Sequence, residues 1–105
     1  MDHQAIRAFQ QFDDSRFTKV DFMKNGHSTA FTLNFLPGQA MKPHSHPGKE
    51  LFLVVMEGSG TFTVDGEEIM ATRGDVLFCN ETEMMGFENN GDNRTTLLGT
   101  LTKIG

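Results

Sequence analysis

Tryptophan and tyrosine are missing from this chain, cysteine occurs once and proline three times. Without Trp or Tyr there is no large aromatic side chain with a polar handle, which removes the usual stacking surface for sugars. The lone Cys79 cannot close an intrachain disulfide, and with no basic residue beside it to lower its pKa it reads as a small core residue rather than a nucleophile. No apolar run approaches the roughly 20 residues that span a bilayer, and no apolar leader opens the chain, so a cytoplasmic address is expected. A net charge of -5 with interspersed signs and no local basic run argues against nucleic acid or an anionic membrane as partner. No histidine follows His46.

What remains is a 105-residue chain, enough for one domain and too little for two, with an interior supplied by 10 Phe and 7 Met. Residues 1–15 read as an N-terminal arm: Ile6 and Phe9 have helical spacing, but Asp13-Asp14-Ser15 stops the pattern at once, leaving a short helical turn at most. From residue 16 onward the signal is of strands. Arg16 to Lys24 alternates and ends at Asn25-Gly26, an edge strand followed by a turn in which His27 is expected to be solvated. Thr29 to Leu36 places Phe31, Leu33 and Phe35 on one face, and Leu51 to Met56, apolar throughout, is expected to be covered on both. Thr61–Val64, Glu67–Ala71 across Asp65-Gly66, Val76–Cys79, Met84–Glu88 and Thr95–Thr102 follow as short strands between Gly, Asn and Asp turns. Strands at this spacing, with no helical period after the arm, make residues 16–105 an all-β antiparallel sandwich or barrel. Its exposed edges favour pairing with a second copy, with Arg16 to Lys24 the strand most available for it, so a homodimer is expected.

The chemistry gathers in Gly38 to Glu50. In a strand, side chains at i and i+2 share a face about 7 Å apart, so His44 and His46 can aim at one point while Ser45 turns away. Pro47-Gly48 bends the chain, and Glu50 opens the next strand, where its carboxylate can return to that point. Two imidazoles and a carboxylate form a ligand set for a divalent first-row metal, Fe, Mn, Ni, Zn or Cu.

These residues resemble the cupin superfamily. Gly38, five residues, His44-Ser45-His46, three residues and Glu50 follow its first motif, whose closing glycine corresponds to Gly58. Gly74-Asp75-Val76-Leu77-Phe78-Cys79 and Gly86-Phe87-Glu88-Asn89-Asn90-Gly91-Asp92 are similar to the two parts of its second motif. The resemblance runs from Thr29 to Thr102 and implies a jelly-roll barrel, or double-stranded β-helix, commonly dimeric. It also implies a metal in the barrel mouth held by the two motif-one histidines, the motif-one glutamate and one motif-two histidine.

Three departures stand out. The motif-two histidine is replaced by Met85, the usual Pro-x-Gly turn by Asn80-Glu81-Thr82, and seven residues rather than six separate Glu50 from Gly58. The extra residue implies either a β-bulge within Leu51–Glu57, which the strong register of a buried strand favours, or a one-residue shift that puts Leu51 in the ligand position. One expectation is then a metal at His44, His46 and Glu50, serving a small oxygenase or isomerase with an unknown small-molecule substrate. A thioether donated by Met85 would tilt such a site toward Cu(I), although Met85, with Met84 and Met70, reads more simply as pocket wall. The alternative is a metal-free ligand-binding or dimerising module with Met85, Phe87 and Phe62 lining its cavity. Metal-free acid/base work by His44 or Glu50 on a sugar nucleotide or keto acid is a third reading, with little cationic or Tyr support.

Overall fold

The computed structural model describes residues 1–105. Nine strands form two antiparallel sheets: β1 (Thr18–Asn25), β2 (Ser28–Phe35), β3 (Ala40–His44), β4 (Lys49–Glu57), β5 (Ser59–Val64), β6 (Glu67–Thr72), β7 (Val76–Cys79), β8 (Met85–Glu88) and β9 (Thr95–Lys103). The first sheet has the order β1-β2-β9-β4-β7 and the second β3-β8-β5-β6, so the jelly roll is realised. Between them lies a core that includes Phe31, Leu33, Phe35, Leu51, Leu53, Val55, Phe62, Met85, Phe87 and Leu97, the inward set of each strand's two-residue alternation. The three rings of Phe35, Phe87 and Phe62 form a chain of tilted contacts, each 4.9 Å between centroids, that ties β2 to β8 and β5 across the two sheets.

Turn chemistry fixes the registers. Asp65 and Gly66 both have positive φ, 49° and 84°, the handedness that a two-residue hairpin needs to match strand twist, and β5 and β6 pair without a slip from Ser59–Thr72 to Val64–Glu67. In place of the proline turn, the Asn80 side-chain oxygen accepts from the backbone N–H groups of Thr82 and Glu83 at 3.0 and 3.1 Å. Gly58 has φ 83°, and a Cβ there would stand 2.9 Å from Thr95 Cα, so this corner admits only glycine.

The arm contains a 3₁₀ turn at Ile6–Phe9 and lies over the outer face of β2. The Phe9 carbonyl accepts from Thr32 Oγ1 at 2.6 Å and Asn34 Nδ2 at 3.1 Å, Gln10 reaches Thr96 Oγ1 at 3.2 Å, and Thr96 donates to Asn34 Oδ1 at 2.9 Å. Thr32, Asn34 and Thr96 are fully buried by it, and every polar atom they bring is paired. Strand β4 corrects the expectation of burial on both faces: Leu53 and Val55 are sealed, but Phe52 is 49% exposed on the outer side.

Candidate functional site

His44 ends β3 and His46 follows in the loop before β4, so the pair does not lie on one continuous strand. The rings nevertheless come together, 4.6 Å between centroids at 57°. A register shift between Met41 and His44 turns the end of β3, and there His44 pairs directly with Met85 of β8. The His44 Nδ1 lies 3.0 Å from the Lys42 carbonyl oxygen, to which the Nδ1–H tautomer donates, leaving Nε2 free. His46 is half-buried; burial, then the charges of His44, Lys19 and Lys49, hold its pKa below the ordinary 6.5.

Both imidazoles open into a cavity of about 280 Å³. Its other walls are Lys19, Phe31, Leu33, Met41, Lys49, Leu51, Met85 and Leu101. The lining therefore joins an apolar floor to four basic side chains at the rim, without a carboxylate. Lys19 reaches over the Phe31 ring at 4.8 Å while pairing with Asp21 at 3.3 Å.

Glu50 is a correction. It is exposed, while its neighbour Leu51 is 2% exposed and pairs with Leu101 on one side and Cys79 on the other. Successive side chains of a strand point to opposite faces, so the carboxylate is turned from the imidazoles and Leu51 takes its place. The anticipated bulge does exist in β4, but between Val55 and Glu57, too far along to reverse Leu51. Read from Leu51, six residues precede Gly58, and the spacing of the first motif is restored with leucine at its acidic position. The donor set does not fit the family's metal: no three His, Cys, Asp or Glu side chains converge, since Leu51 and Met85 fill the other two places.

Of the other expected lining residues, Met85 is in the cavity wall, whereas Phe62 and Phe87, 2% and 3% exposed, belong to the core beneath it. Met70 and Met84 are exposed and lie outside this cavity, Met70 instead edging a separate surface hollow beside Thr61 and Asn90. Cys79 is sealed in the core, where burial foremost, with Glu83 and Asp65 nearby, raises its thiol to about 11, far from a thiolate nucleophile. The sequence pattern does not single out Lys19, Lys49 and Leu101 as site residues. Lys49 and Leu101 share the inward phase of Leu51 and the β9 core, a signal available once the Glu50 register is corrected.

A profile for the cupin domain matches residues 31–100. The chain belongs to the cupin family. It is similar to the tetracenomycin polyketide synthase protein TcmJ of Streptomyces glaucescens, 32% identical over 60 residues, which cover 57% of this chain and 40% of that protein. The chain thus matches about two-fifths of the length of that relative. Among solved structures, an RmlC-like cupin protein from Desulfovibrio desulfuricans is 32% identical, covering 97% of this chain and 95% of that one with a TM-score of 0.83. The protein TT1209 from Thermus thermophilus superposes with a TM-score of 0.92 over 98% of both chains at 21% identity, a likeness of fold.

Proposed function

We propose that this cupin binds a small, largely apolar weak acid directly through protein groups, without a resident metal. The observation that carries the reading is the pair of substitutions at the site: leucine and methionine stand where a carboxylate and a third imidazole would complete a chelate. The same two side chains extend the apolar floor, and burying ligand surface against it supplies affinity of roughly 25 cal/mol per Å² before the costs of association.

The polar rim gives orientation. With Nδ1–H held by Lys42, the free Nε2 of His44 accepts from a carboxylic, phenolic or enolic O–H, and Lys49 places a positive charge where the developing anion would sit. A polyketide, a carbon skeleton carrying acidic oxygens, is chemistry of this kind, and the relative TcmJ is named as a polyketide synthase protein. The oxygenase or isomerase reading needs a metal, and only two of its ligands converge here.

Calorimetry with benzoate and with an alkanoate of similar size, on untagged protein stripped of metal, tests the proposal. Saturable binding that weakens at least tenfold in His44→Ala and is indifferent to chelator is expected. Stoichiometric metal in untagged protein, lost together with ligand binding in His44→Ala, would return the site to metal chemistry.

A further inference from the structure

We infer that a second anion subsite, sized for a phosphate group, adjoins the cavity, and that the ligand is therefore bipartite: an apolar weak acid inside the barrel and a phosphate at its rim. The inference rests on the cavity reading for its first half; its second half stands on Lys24, His27 and Lys103, which lie outside that cavity, together with Lys49 on the shared wall.

Next to the main cavity lies a hollow of about 70 Å³ lined by Lys24, Gly26, His27, Thr29, Lys49, Leu101 and Lys103. Lys49 and Leu101 form the wall that the two spaces share. This volume is about that of two waters, room for a tetrahedral oxyanion and not for a ring. Acidic residues outnumber basic ones 14 to 9 in the chain, yet neither lining contains a carboxylate. Lys19, Lys24, Lys49 and Lys103, all the lysines except Lys42, face these two spaces, with His27, His44 and His46. Dispersed along the sequence, they form a basic surface only when folded.

The strand register sharpens the point. Lys49 and Lys103 are direct partners across β4 and β9, and each shares its face with an inward residue two positions away, Leu51 and Leu101. Like charges directly opposite in an antiparallel pair repel, and lysines on the inward face run against the alternation that places charge outward. An anion held between them removes both conflicts. The backbone around the hollow is fixed by Lys103 N–H donating to the His27 carbonyl and Ile104 N–H to that of Gly48, each at 2.9 Å. Of the nearby acids, Asp21 pairs with Lys19 and offsets that one charge, Glu81 accepts from the Gly48 N–H at 3.1 Å, and Glu50 is turned to the outer face, so no ion pair joins Lys24, Lys49 or Lys103. Lysine ammonium groups suit phosphate as point charges without demanding a planar fork.

Titration with inorganic phosphate, followed by amide NMR against chloride at equal ionic strength, tests the subsite. Saturable shifts at Gly26, His27, Lys103 and Ile104 are expected, weakened at least tenfold in Lys24→Gln/Lys103→Gln and abolished in Lys24→Glu/Lys103→Glu. Neither residue lines the main cavity, so benzoate affinity should stay within twofold and report that the variants are folded. Phenylbutyl phosphate should bind at least tenfold tighter than inorganic phosphate. Shifts reproduced by chloride, or unmoved by the substitutions, overturn the subsite; phosphate and benzoate displacing each other, or equal affinities for phosphate and its phenylbutyl ester, overturn the bipartite ligand. Failure of benzoate to bind while phosphate does would sink the cavity reading and leave the subsite standing.

Discussion

His44 and Met85 face each other as direct partners in the β3–β8 ladder, so an imidazole meets a thioether at the barrel mouth. Leu51 closes the same wall from β4. The site has thus been converted at two of its four family positions from donor to hydrocarbon or sulfur, while both motif-one histidines remain.

Restoring the donors should restore chelation. The Leu51→Glu/Met85→His variant, without a histidine tag, is expected to retain about one equivalent of zinc or nickel after dialysis and to gain thermal stability on metal addition. Wild-type protein treated alike should show neither effect. Elemental analysis and melting curves read both; equal metal retention by the two proteins would refute the assignment of positions 51 and 85.

Stability should depend on pH through His46. Its folded pKa lies below 6.5, so as pH falls through 6.5 the unfolded imidazole takes up a proton first and stability declines, the loss becoming complete once the folded pKa is passed. Above 6.5 the ring is neutral in both states and contributes nothing. Melting temperatures between about pH 8 and about pH 5 should fall less in His46→Gln than in wild type. Asp13, held below 3.8 by its hydrogen bonds to Ser15, loses its own contribution only at lower pH. A wild-type profile no steeper than that of His46→Gln would contradict this account.

Asn89 should be among the costliest polar residues to truncate. It is fully buried, donates to the carbonyls of Phe35 and Asn93 at 3.0 and 2.9 Å, and accepts from the Gly91 N–H at 3.1 Å. Asn89→Ala leaves the buried Phe35 carbonyl without its amide partner and the more accessible Asn93 carbonyl and Gly91 N–H to water, and is expected to lower stability by about 1–3 kcal/mol in urea unfolding. A loss under about 0.5 kcal/mol would show that water replaces the side chain at no cost.

Edge-strand reasoning puts pairing with a second copy at β1, yet the largest uncovered apolar side chains lie at the opposite edge. Phe52 and Phe78 form a tilted pair, 4.9 Å between centroids, beside Val76, which is 63% exposed. Light scattering should find a homodimer that Phe52→Asp/Phe78→Asp dissociates. A dimer surviving that change, and lost instead on Val20→Pro in β1, would place the contact at the β1 edge after all.

Strand positions, the Asp65-Gly66 hairpin and the inward residues of β2 are legible in the sequence because alternation and turn chemistry are local signals. The direction of Glu50 is not. One residue of register decides which face a side chain takes, and Pro47-Gly48 leaves the start of β4 undefined by any local pattern, so counting backward from Gly58 is the better guide. The basic rim is invisible for a different reason: its lysines come from β1, β4 and β9, and only pairing brings them together. Likewise, the alternating polar residues of β2 read as solvent-facing until the arm is seen to cover them.

That covering arm makes the domain larger than its family signature. The matched stretch, 31–100, omits Phe9, whose carbonyl is the acceptor for both Thr32 and Asn34. A fragment trimmed to the signature would expose a hydrophilic seam along β2 and strip Lys19 and Lys24 from the mouth, so the first thirty residues both cover the barrel and build part of its rim.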